Sequence, residues 1–429
     1  MSNVRKCTAD RKLCVSCGIC KPVCPHHAIE YVQEDGIYVP TVNEKCTECG
    51  LCVRVCPGVT SDYLALYDMV QEKMPENLFV GNVKGCYVAK AKESKLLATA
   101  TSGGIVTALI KECLDKSYYD SAFCVDTYAY DSQVVTARYT AGDELTRTQK
   151  SRYIPVSHEK LIEHMRNHPE ERIIIVAVSC AMQGIVKAME LYKLNRANYL
   201  LIGLFCDKTM SYHIYDYLQQ KTQEKVAGIC FRDKEAGGWP GNISLITKQG
   251  NKIELPAKER MKVKQFFQME RCLYCIDKLN QLADIAVGDN YTGIEKTTLG
   301  SSSVIVRTTT GEKMWNACET LFDTTEVNIT DITKGQHIEN RTENLKMSVN
   351  YSEKTGHQIN KIPAHNQQPL EQKLYQKRLD YIAMGRMYLQ SPDKLEKELH
   401  KKEQEKHRKD TIIRIRTVLG KIKRKIGFR

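Results

Sequence analysis

The chain has 429 residues, of which 42% are hydrophobic, and its formal net charge is +12 at pH 7. This length suits two or three domains. No apolar run approaches the roughly 18 to 20 residues that a membrane-spanning helix needs, which argues against an integral membrane protein. Residues 401–429 hold twelve Lys or Arg against three acidic residues. The preceding chain is therefore almost neutral, which argues against a nucleic-acid groove across the fold.

Cysteine usage indicates both the compartment and the chemistry. The chain has 18 cysteines, which is unusual for a cytosolic protein unless many of them ligate metal. The N-terminus does not resemble a signal peptide, so we do not expect a disulfide framework formed in an oxidising compartment. We expect a cytoplasmic protein.

Two cysteine blocks near the N-terminus share the spacing C-x2-C-x2-C-x3-C-P and end at Pro25 and Pro57. This spacing is typical of bacterial ferredoxin modules with two 4Fe-4S clusters, in which the fourth cysteine of each block ligates the cluster of the other block. Zinc sites usually combine two C-x2-C pairs, which is a different pattern. The predicted ligands are Cys14, Cys17, Cys20 and Cys56 for the first cluster, and Cys24, Cys46, Cys49 and Cys52 for the second.

The alternation of apolar and amphipathic segments divides the rest of the chain. Residues 1–63 form the predicted ferredoxin-like α+β domain, residues 64–84 a connecting arm, and residues 85–330 a larger domain. Short buried strands separated by helix-length segments predict an α/β fold with a mixed or parallel sheet, which places ligands at the carboxyl ends of its strands. The predicted strands are 86–91, 122–126, 172–179, 199–205, 226–232, 283–289 and 302–307, and the predicted helices are 104–113, 185–192 and 212–220.

A run of small residues, Thr101-Ser102-Gly103-Gly104, precedes the predicted helix of this domain. Small residues at a helix start allow a phosphate to approach free amide groups and the positive end of the helix dipole. An ordinary capped helix after a glycine turn would give the same pattern. The run alone therefore does not decide between the two.

Four further cysteines could hold another cluster. Cys180 and Cys206 each follow an apolar strand, where we expect a loop to begin, and Cys272 and Cys275 form a C-x2-C pair. Together they supply the four thiolates of one more cubane. The alternative is buried structural cysteine, which we expect for the cysteines inside apolar stretches: Cys86, Cys113, Cys124, Cys230 and Cys318.

Several motifs in residues 85–310 resemble one known family. The chain is similar to the beta subunit of coenzyme F(420) hydrogenase/dehydrogenase, a methanogen protein that passes a hydride between a 5-deazaflavin and FAD. The Arg-Asp-Lys and Gly-Trp element resembles the bacterial branch associated with surface-polysaccharide genes. The matching stretches are Thr101 to Gly104, Lys150-Ser151-Arg152-Tyr153, Ser179-Cys180, 203–206, Phe231-Arg232-Asp233-Lys234 with Gly238-Trp239, and Cys272 to Cys275 followed by 283–285 and Gly288-Asp289.

The resemblance implies a flavin, FAD in the family, beside a third 4Fe-4S cluster. It implies that this cluster is ligated by Cys180, Cys206, Cys272 and Cys275. It also implies cofactor contacts from Ser102, Gly103, Gly104, Lys150, Arg152, Tyr153, Gly288 and Asp289. For the last two, a buried aspartate capping a turn is the alternative.

The C-terminal region lies beyond this resemblance. Residues 331–410 form a predicted helical extension, and residues 411–429 a basic amphipathic helix with Ile412, Ile415, Leu419, Ile422 and Ile426 on one stripe. Such a helix suits binding to an anionic membrane surface at the inner face of the membrane. A packing helix with a solvated charged face is the alternative. The only aromatic residue of this segment is Phe428, which argues against RNA binding.

These features predict a flavin- and iron-sulfur-dependent oxidoreductase. Electrons would pass between a hydride donor or organic substrate at the flavin and the ferredoxin-type clusters, and on to a redox partner protein. The alternative is a non-catalytic electron-transfer adaptor that docks on a membrane or polysaccharide-biosynthesis partner. We identify no acid or base, since we expect His158 and His164 on a surface helix. The sequence leaves open the direction of electron flow, FAD or FMN, and the oligomeric state.

Overall fold

A computed structural model describes residues 3–126, 132–361 and 368–425. In the N-terminal module, β1 and β2 pair as an antiparallel hairpin, and Asp35 and Gly36 form its turn with positive φ angles of 50° and 74°. An Asp-Gly pair is favoured in such two-residue hairpin turns. The elements up to the connecting arm are β1 (Ile29–Glu34), β2 (Ile37–Val42), α1 (Leu51–Arg54), β3 (Ser61–Asp62) and α2 (Tyr63–Val70).

The larger domain alternates strands and helices, as its apolar pattern predicts. Its first half contains β4 (Gly85–Ala91), α3 (Ser94–Thr99), α4 (Ile105–Asp115), β5 (Ser121–Val125), β6 (Val134–Tyr139), β7 (Val156–Ser157), α5 (Glu159–Asn167), β8 (Ile173–Val178), α6 (Ser179–Leu191) and β9 (Tyr199–Leu204). Its second half contains α7 (His213–Thr222), β10 (Val226–Asp233), β11 (Asn242–Thr247), β12 (Lys252–Leu255), α8 (Ala257–Phe267), β13 (Ile285–Asp289), β14 (Ser302–Val306), α9 (Thr309–Cys318), β15 (Phe322–Glu326) and α10 (Ile329–Gly335).

Nine strands form one mixed sheet in the order β15-β4-β14-β13-β9-β8-β5-β6-β7. The central strands β13, β9, β8 and β5 run parallel, and antiparallel pairs flank them. The central strands are buried on both faces, which explains their nearly continuous apolar sequences. This arrangement confirms the predicted mixed α/β fold. It also brings the carboxyl ends of β8, β9 and β13 to one edge of the sheet.

The ferredoxin module packs on the large domain through α6. Gly184 of this helix leaves no room for a side chain, because a Cβ atom there would lie 2.6 Å from Ile19 Cδ1 and 3.2 Å from Pro57 Cδ. One continuous apolar core joins Ile19 and Val55 of the module to Ile185 of α6 and to the sheet. The module is therefore held firmly against the edge of the sheet that follows β8.

A smaller antiparallel sheet, β10-β11-β12, stands beside the main sheet. Its apolar face packs with α7 and α8 around Phe231, Tyr217 and Phe266. The predicted strand 226–232 therefore exists but lies in this second sheet. Its end carries Arg232 and Asp233 to the cavity described below.

The predicted helical extension is confirmed. It contains α11 (Arg341–Thr355), β16 (Asn360–Lys361), α12 (Gln372–Arg386) and α13 (Pro392–Lys425). A parallel bridge between β16 and β3 joins it to the end of the ferredoxin module. Met347 and Tyr375 share a core with Leu13 of that module and with Leu273. The extension thus packs against both the ferredoxin module and the segment between Cys272 and Cys275.

The predicted basic tail continues α13 as helix as far as Lys425. Ile412 is 40% exposed. The side chains of the other stripe residues, Ile415, Leu419, Ile422 and Ile426, lie outside the described part of the structure, as does the backbone of residues 426–429. Within the described residues, no helix combines the length and apolar character required to cross a membrane.

Candidate iron-sulfur and flavin site

The eight ferredoxin cysteines fall into two groups in space. Burial, followed by the charge of Cys56, raises the pKa of the Cys14, Cys17 and Cys20 thiols. Burial also raises the pKa of Cys52, where the neighbouring charges are those of Cys24, Cys46 and Cys49. Each group contains the fourth cysteine of the other sequence block. The chain reversal between the blocks thus brings together the four ligands predicted for each cluster.

The structure also brings together the four additional cysteines. These residues, Cys180, Cys206, Cys272 and Cys275, form the third cysteine group. Cys206 follows β9, Cys272 lies in a short 3-10 helix, and Cys275 follows that helix. Burial and then the charges of Cys180, Cys272 and Cys275 raise the pKa of the Cys206 thiol. Burial raises the pKa of Cys272 to about 11. Four thiolates that lie close together in a buried site repel one another. Binding of a cationic metal cluster would relieve this repulsion.

The expected loop around Cys180 is wrong. Helix α6 begins at Ser179, directly after β8, and not near residue 185. Cys180 therefore lies in the first turn of a helix, where free amide groups and the helix dipole favour a thiolate. The apolar strand runs into the helix without a turn residue, so the sequence gives no signal of this boundary.

Four cysteines are the number of ligands that one cubane cluster takes. Within the described chain, no three His, Cys, Asp or Glu side chains are placed to hold one metal ion. The ligands of a cubane bind different iron atoms at separate corners and so lie further apart than the ligands of one ion. Backbone donors support this use, since the amide of Thr209 donates to Cys272 Sγ at 3.5 Å.

Two side chains of α11 hold the loops that carry three of these cysteines. Arg341 Nη2 donates to the carbonyl oxygen of Cys206 at 3.0 Å and Arg341 Nη1 to that of Cys275 at 3.3 Å. Asn344 Nδ2 donates to the carbonyl oxygens of Cys272 and Cys275 at 3.2 and 2.8 Å. Sequence reasoning missed both residues. They lie on a polar helix whose sequence carries no motif.

The additional cysteines adjoin the first ferredoxin group. The charge of Cys17 contributes to the raised pKa of Cys180, after burial and the charges of Cys272 and Cys275. Val15 and Cys17 line the same cavity as Cys180. The third cysteine group therefore stands between the ferredoxin module and the interior of the large domain.

His158 lies at this junction, and the expectation that it is a surface residue is wrong. It is only 2% exposed, and its backbone amide donates to the Cys17 carbonyl oxygen at 2.8 Å. Burial lowers its pKa to about 4, so the ring is neutral near pH 7. His164 is partly buried and bonds Glu171 at 2.7 Å.

The predicted small-residue loop is built against the end of β14. Ser102 Oγ lies 2.9 Å from Ser302 Oγ, and the Gly103 amide donates to Ser302 Oγ at 3.1 Å. A Cβ atom at Gly103 would lie 2.5 Å from the Ala89 carbonyl oxygen. Gly104 caps α4 with a φ of 75°, a conformation that favours glycine. The amide groups that begin α4 thus face the cavity without a capping side chain.

The other predicted cofactor residues lie around the same cavity. Lys150, Arg152 and Tyr153 line it on one side, and Gly288 and Asp289 line it at the end of β13. Lys150 Nζ is 3.7 Å from Asp233 Oδ1. The ring of Phe205 lies against Gly288, where a Cβ atom would meet it at 2.2 Å. The structure therefore places seven of the eight predicted cofactor positions in the lining of one cavity, and Gly103 lies behind it.

Arg232 is a residue of this site that sequence reasoning did not select. Its Nη1 donates to Asp289 Oδ2 at 2.5 Å and to the Tyr153 hydroxyl at 3.4 Å. Its Nη2 is buried without a hydrogen-bond partner among the described residues. A buried guanidinium normally has its donors satisfied. Arg232 therefore joins Tyr153 and Asp289 across this part of the cavity wall. The signal available in the sequence was that Arg232 belongs to one of the motifs of the family resemblance.

Positive charge exceeds negative charge around this part of the cavity. Arg260 stacks over the Tyr153 ring at 4.5 Å, and burial followed by the charges of Lys150 and Arg232 lowers the pKa of Lys234 to about 8. At the rim, Trp239 packs with Tyr291, with ring centroids 5.5 Å apart. Cationic groups near uncapped helix amides suit a phosphate, and the aromatic pair suits a planar ring.

One cavity connects the third cysteine group with this region. It has a volume of about 1650 Å³, which exceeds the roughly 300 to 1,000 Å³ of common small-molecule sites. Cys180, Cys206 and Cys272 line it together with Ser102 and Asp289. It opens at the carboxyl edge of the parallel strands, where α/β folds bind ligands.

Comparison with protein families agrees with this arrangement. Residues 86–163 match the N-terminal part, and residues 170–334 the C-terminal part, of the family described as coenzyme F(420) hydrogenase/dehydrogenase, beta subunit. Residues 13–58 match a 4Fe-4S dicluster domain. The chain belongs to the family of coenzyme F(420) hydrogenase/dehydrogenase beta subunits. The predicted family is thereby confirmed, and these matches support an iron-sulfur oxidoreductase that transfers electrons.

Two related proteins align with more than half of this chain. It is 24% identical over 260 residues to the beta subunit of the coenzyme F(420) hydrogenase of Methanosarcina barkeri, a match to 58% of this chain and 84% of that protein. It is 26% identical over 308 residues to one subunit of the F(420)H(2) dehydrogenase of Methanosarcina mazei, covering 71% of this chain and 82% of that protein.

A solved structure shares the fold. A chain of the F(420)-reducing [NiFe] hydrogenase complex from Methanosarcina barkeri matches with a TM-score of 0.50 and 20% identity. The match covers 67% of this chain and 98% of that chain. The residues of this chain outside the match are therefore not part of the shared fold.

Proposed function

We propose that this protein is an iron-sulfur flavoprotein oxidoreductase in which a flavin, a third 4Fe-4S cluster and the two ferredoxin clusters form one electron path. The observation that carries the proposal is the position of the third cysteine group. It lines the large cavity on one side and lies next to Cys17 of the ferredoxin module on the other. A redox group held there would connect the two.

The residues present fit the third cluster. Cys180, Cys206, Cys272 and Cys275 supply four thiolates, and Arg341 and Asn344 fix the loops that carry three of them. Arg271, next to this group, is buried, and its Nε has no partner among the described residues. Its positive charge favours the thiolate form of Cys180 and Cys272.

The residues around Arg232 fit a flavin. The amide groups at the start of α4, next to Ser102 and Gly104, would bind a phosphate, with Gly103 bonded to Ser302 behind them. Lys150, Arg152 and Arg232 would supply positive charge to the phosphate. Tyr153 and Asp289 hold Arg232 in place, and Gly288 keeps the wall close to Phe205. A bound flavin would accept a hydride as an electron pair and release the electrons singly, as iron-sulfur clusters require.

The remaining role of this chain is to carry electrons between the cavity and its surface, in either direction. The first ferredoxin group adjoins the third group, and the second ferredoxin group is the more exposed end, since Cys49 is an exposed residue. We propose that a redox partner protein docks there. The relatives are named as subunits of hydrogenase and dehydrogenase assemblies, which supports a protein partner. A cytoplasmic location remains a prediction.

Anaerobic purification tests the proposal against its rival. About twelve iron atoms and one flavin per chain are expected for the oxidoreductase, and about eight iron atoms without flavin for a non-catalytic adaptor. The Cys272→Ser variant should lose the iron of one cluster. Cys86→Ser is the matched control, because Cys86 is buried, belongs to none of the three groups and does not line the cavity. Full iron content in Cys272→Ser would remove the third cluster from the path.

A further inference from the structure

A second group of positive side chains lines the cavity beside Cys206. Lys264 Nζ lies 3.3 Å and Lys208 Nζ 3.8 Å from Asp207 Oδ2, and Arg341 Nη2 lies 3.4 Å from Asp207 Oδ1. Lys278 also lies close enough to interact with this carboxylate. All five residues line the cavity. One carboxylate therefore faces four cations, and the further anionic groups that act on them are Cys272 beside Lys208 and Cys206 beside Lys278.

The lysines of this group have hydrogen-bond donors to spare. An ammonium group has three donors. Among the described residues, Asp207 is the single acceptor that lies near Lys208 and Lys264, and the Gln336 carbonyl oxygen is the single acceptor of Lys278. The side chain of Lys264 is 40% exposed and that of Lys208 is 25% exposed. A molecule that enters the cavity can reach them.

This group adjoins the wall at which we place the flavin. Gln336 Nε2 donates to the Asp289 carbonyl oxygen at 2.7 Å, and Lys278 Nζ donates to the Gln336 carbonyl oxygen at 2.5 Å. Asp289 also accepts from Arg232. One glutamine residue thus separates the lysine group from the flavin wall. A molecule held by the lysines would lie next to whatever that wall binds.

The lysines make no direct bond to the cysteine sulfurs, although Lys208 interacts through its charge with Cys272 and Lys278 with Cys206. The structure shows no hydrogen bond from Lys208, Lys264 or Lys278 to a cysteine sulfur among the described residues, whereas the Thr209 backbone amide does donate to Cys272 Sγ. Lys264 comes from α8, which carries no cysteine of the three groups. All three lysines line the cavity. The cavity, at about 1650 Å³, has room for a second molecule beside a flavin.

We infer that the organic substrate is an anion whose carboxylate or phosphate group binds between Lys208, Lys264 and Lys278. This inference rests on the proposed function, because it takes the neighbouring wall as the flavin site. Asp207 holds Lys208 and Lys264 in position and keeps the empty site from carrying four unpaired charges. Each charge-assisted hydrogen bond from a lysine would stabilise the bound anion and orient it toward the Asp289 wall.

Calorimetric titration of the anaerobic holoenzyme tests the site without knowledge of the substrate. The probes are inorganic phosphate and succinate, which distinguish a phosphate from a carboxylate ligand. We expect saturable binding of at least one of them. Lys264→Gln should weaken it about tenfold by removing a charged donor, and Lys264→Arg should retain most of it. Lys258→Gln is the matched control, since Lys258 lies on the same helix but does not line the cavity.

Iron and flavin are counted in the samples used for titration. A failure of the proposed function appears as missing iron or flavin, and a failure of this inference appears as missing anion binding in a protein that holds both. Absence of saturable binding of either probe overturns the inference. So does equal affinity in Lys264→Gln and the unaltered protein. If Lys264→Gln changes only the reduction potential of a cluster, the lysines compensate cluster charge and the inference is wrong. If Lys264→Gln loses iron, Lys208→Gln is titrated by the same criteria.

Discussion

Arg341 Nη2 donates to the carbonyl oxygen of Cys206 at 3.0 Å, which joins the C-terminal extension to the third cysteine group. Arg341 lies beyond residue 334, where the family match ends. Its side chain is only 5% exposed, so the contact is protected from water. The extension is therefore part of the proposed cluster site.

The first prediction concerns this contact. Arg341→Ala removes the donors to Cys206 and Cys275, and the freed loops should no longer hold the third cluster. Iron should fall from about twelve to about eight atoms per chain, because the ferredoxin cysteines are untouched. Iron analysis after anaerobic purification measures this. Lys346→Ala is the control, since Lys346 is exposed on the same helix. Full iron content in Arg341→Ala would contradict the role of Arg341.

The second prediction concerns the Arg232 and Asp289 pair. Arg232→Met leaves the Asp289 carboxylate without its buried partner, and breaking such a pair costs about 3 to 5 kcal/mol. We expect a lower free energy of unfolding and a loss of flavin, with the iron of the ferredoxin module retained. Flavin fluorescence after denaturation gives the flavin content.

A double variant separates the two causes. Arg232→Met with Asp289→Asn removes both charges, so the stability should recover in part while flavin remains low. If Arg232→Met binds flavin as well as the unaltered protein, Arg232 does not serve the cofactor. Asp323→Asn is a surface control, because Asp323 pairs with Lys90 at 3.6 Å in an exposed position.

Sequence alone predicted the features that have a local pattern. The cysteine spacing between Cys14 and Cys56 and the apolar runs of the central strands led to the correct fold class. The family resemblance supplied positions that the structure places around one cavity, including Ser102 and Asp289. These features are local because a spacing or a period of a few residues determines them.

The features that the sequence did not predict depend on contacts between distant segments. Arg341 and Cys206 are 135 positions apart in the chain, and nothing near either residue signals the contact. The sequence predicts a surface helix at His158, yet the ferredoxin module covers this residue and accepts its amide at the Cys17 carbonyl oxygen. The start of α6 at Ser179 was missed because the strand and the helix share one apolar run.

The third prediction concerns the packing of the ferredoxin module on α6. Gly184→Val places methyl groups where Ile19 and Pro57 already lie, and such overpacking costs about 1 to 3 kcal/mol. We expect thermal bleaching of the cluster absorbance at a lower temperature, and slower transfer of electrons from the cavity to the module because the two groups move apart. Gly228→Val is the control, since the nearest atom to its Cβ would be 3.7 Å away. Equal bleaching temperatures in both variants would contradict the tight packing.

The last prediction concerns the basic tail. Residues 414–425 include six Lys or Arg within three turns of sequence, and each can add about 1 kcal/mol of attraction to an anionic surface. We expect the full chain to float with vesicles that contain anionic lipid, and a chain ending at residue 410 to stay behind. Higher salt should weaken flotation because it screens the charges. Vesicles of neutral lipid are the control. Equal flotation of both chains would show that the tail is a packing helix with a solvated charged face.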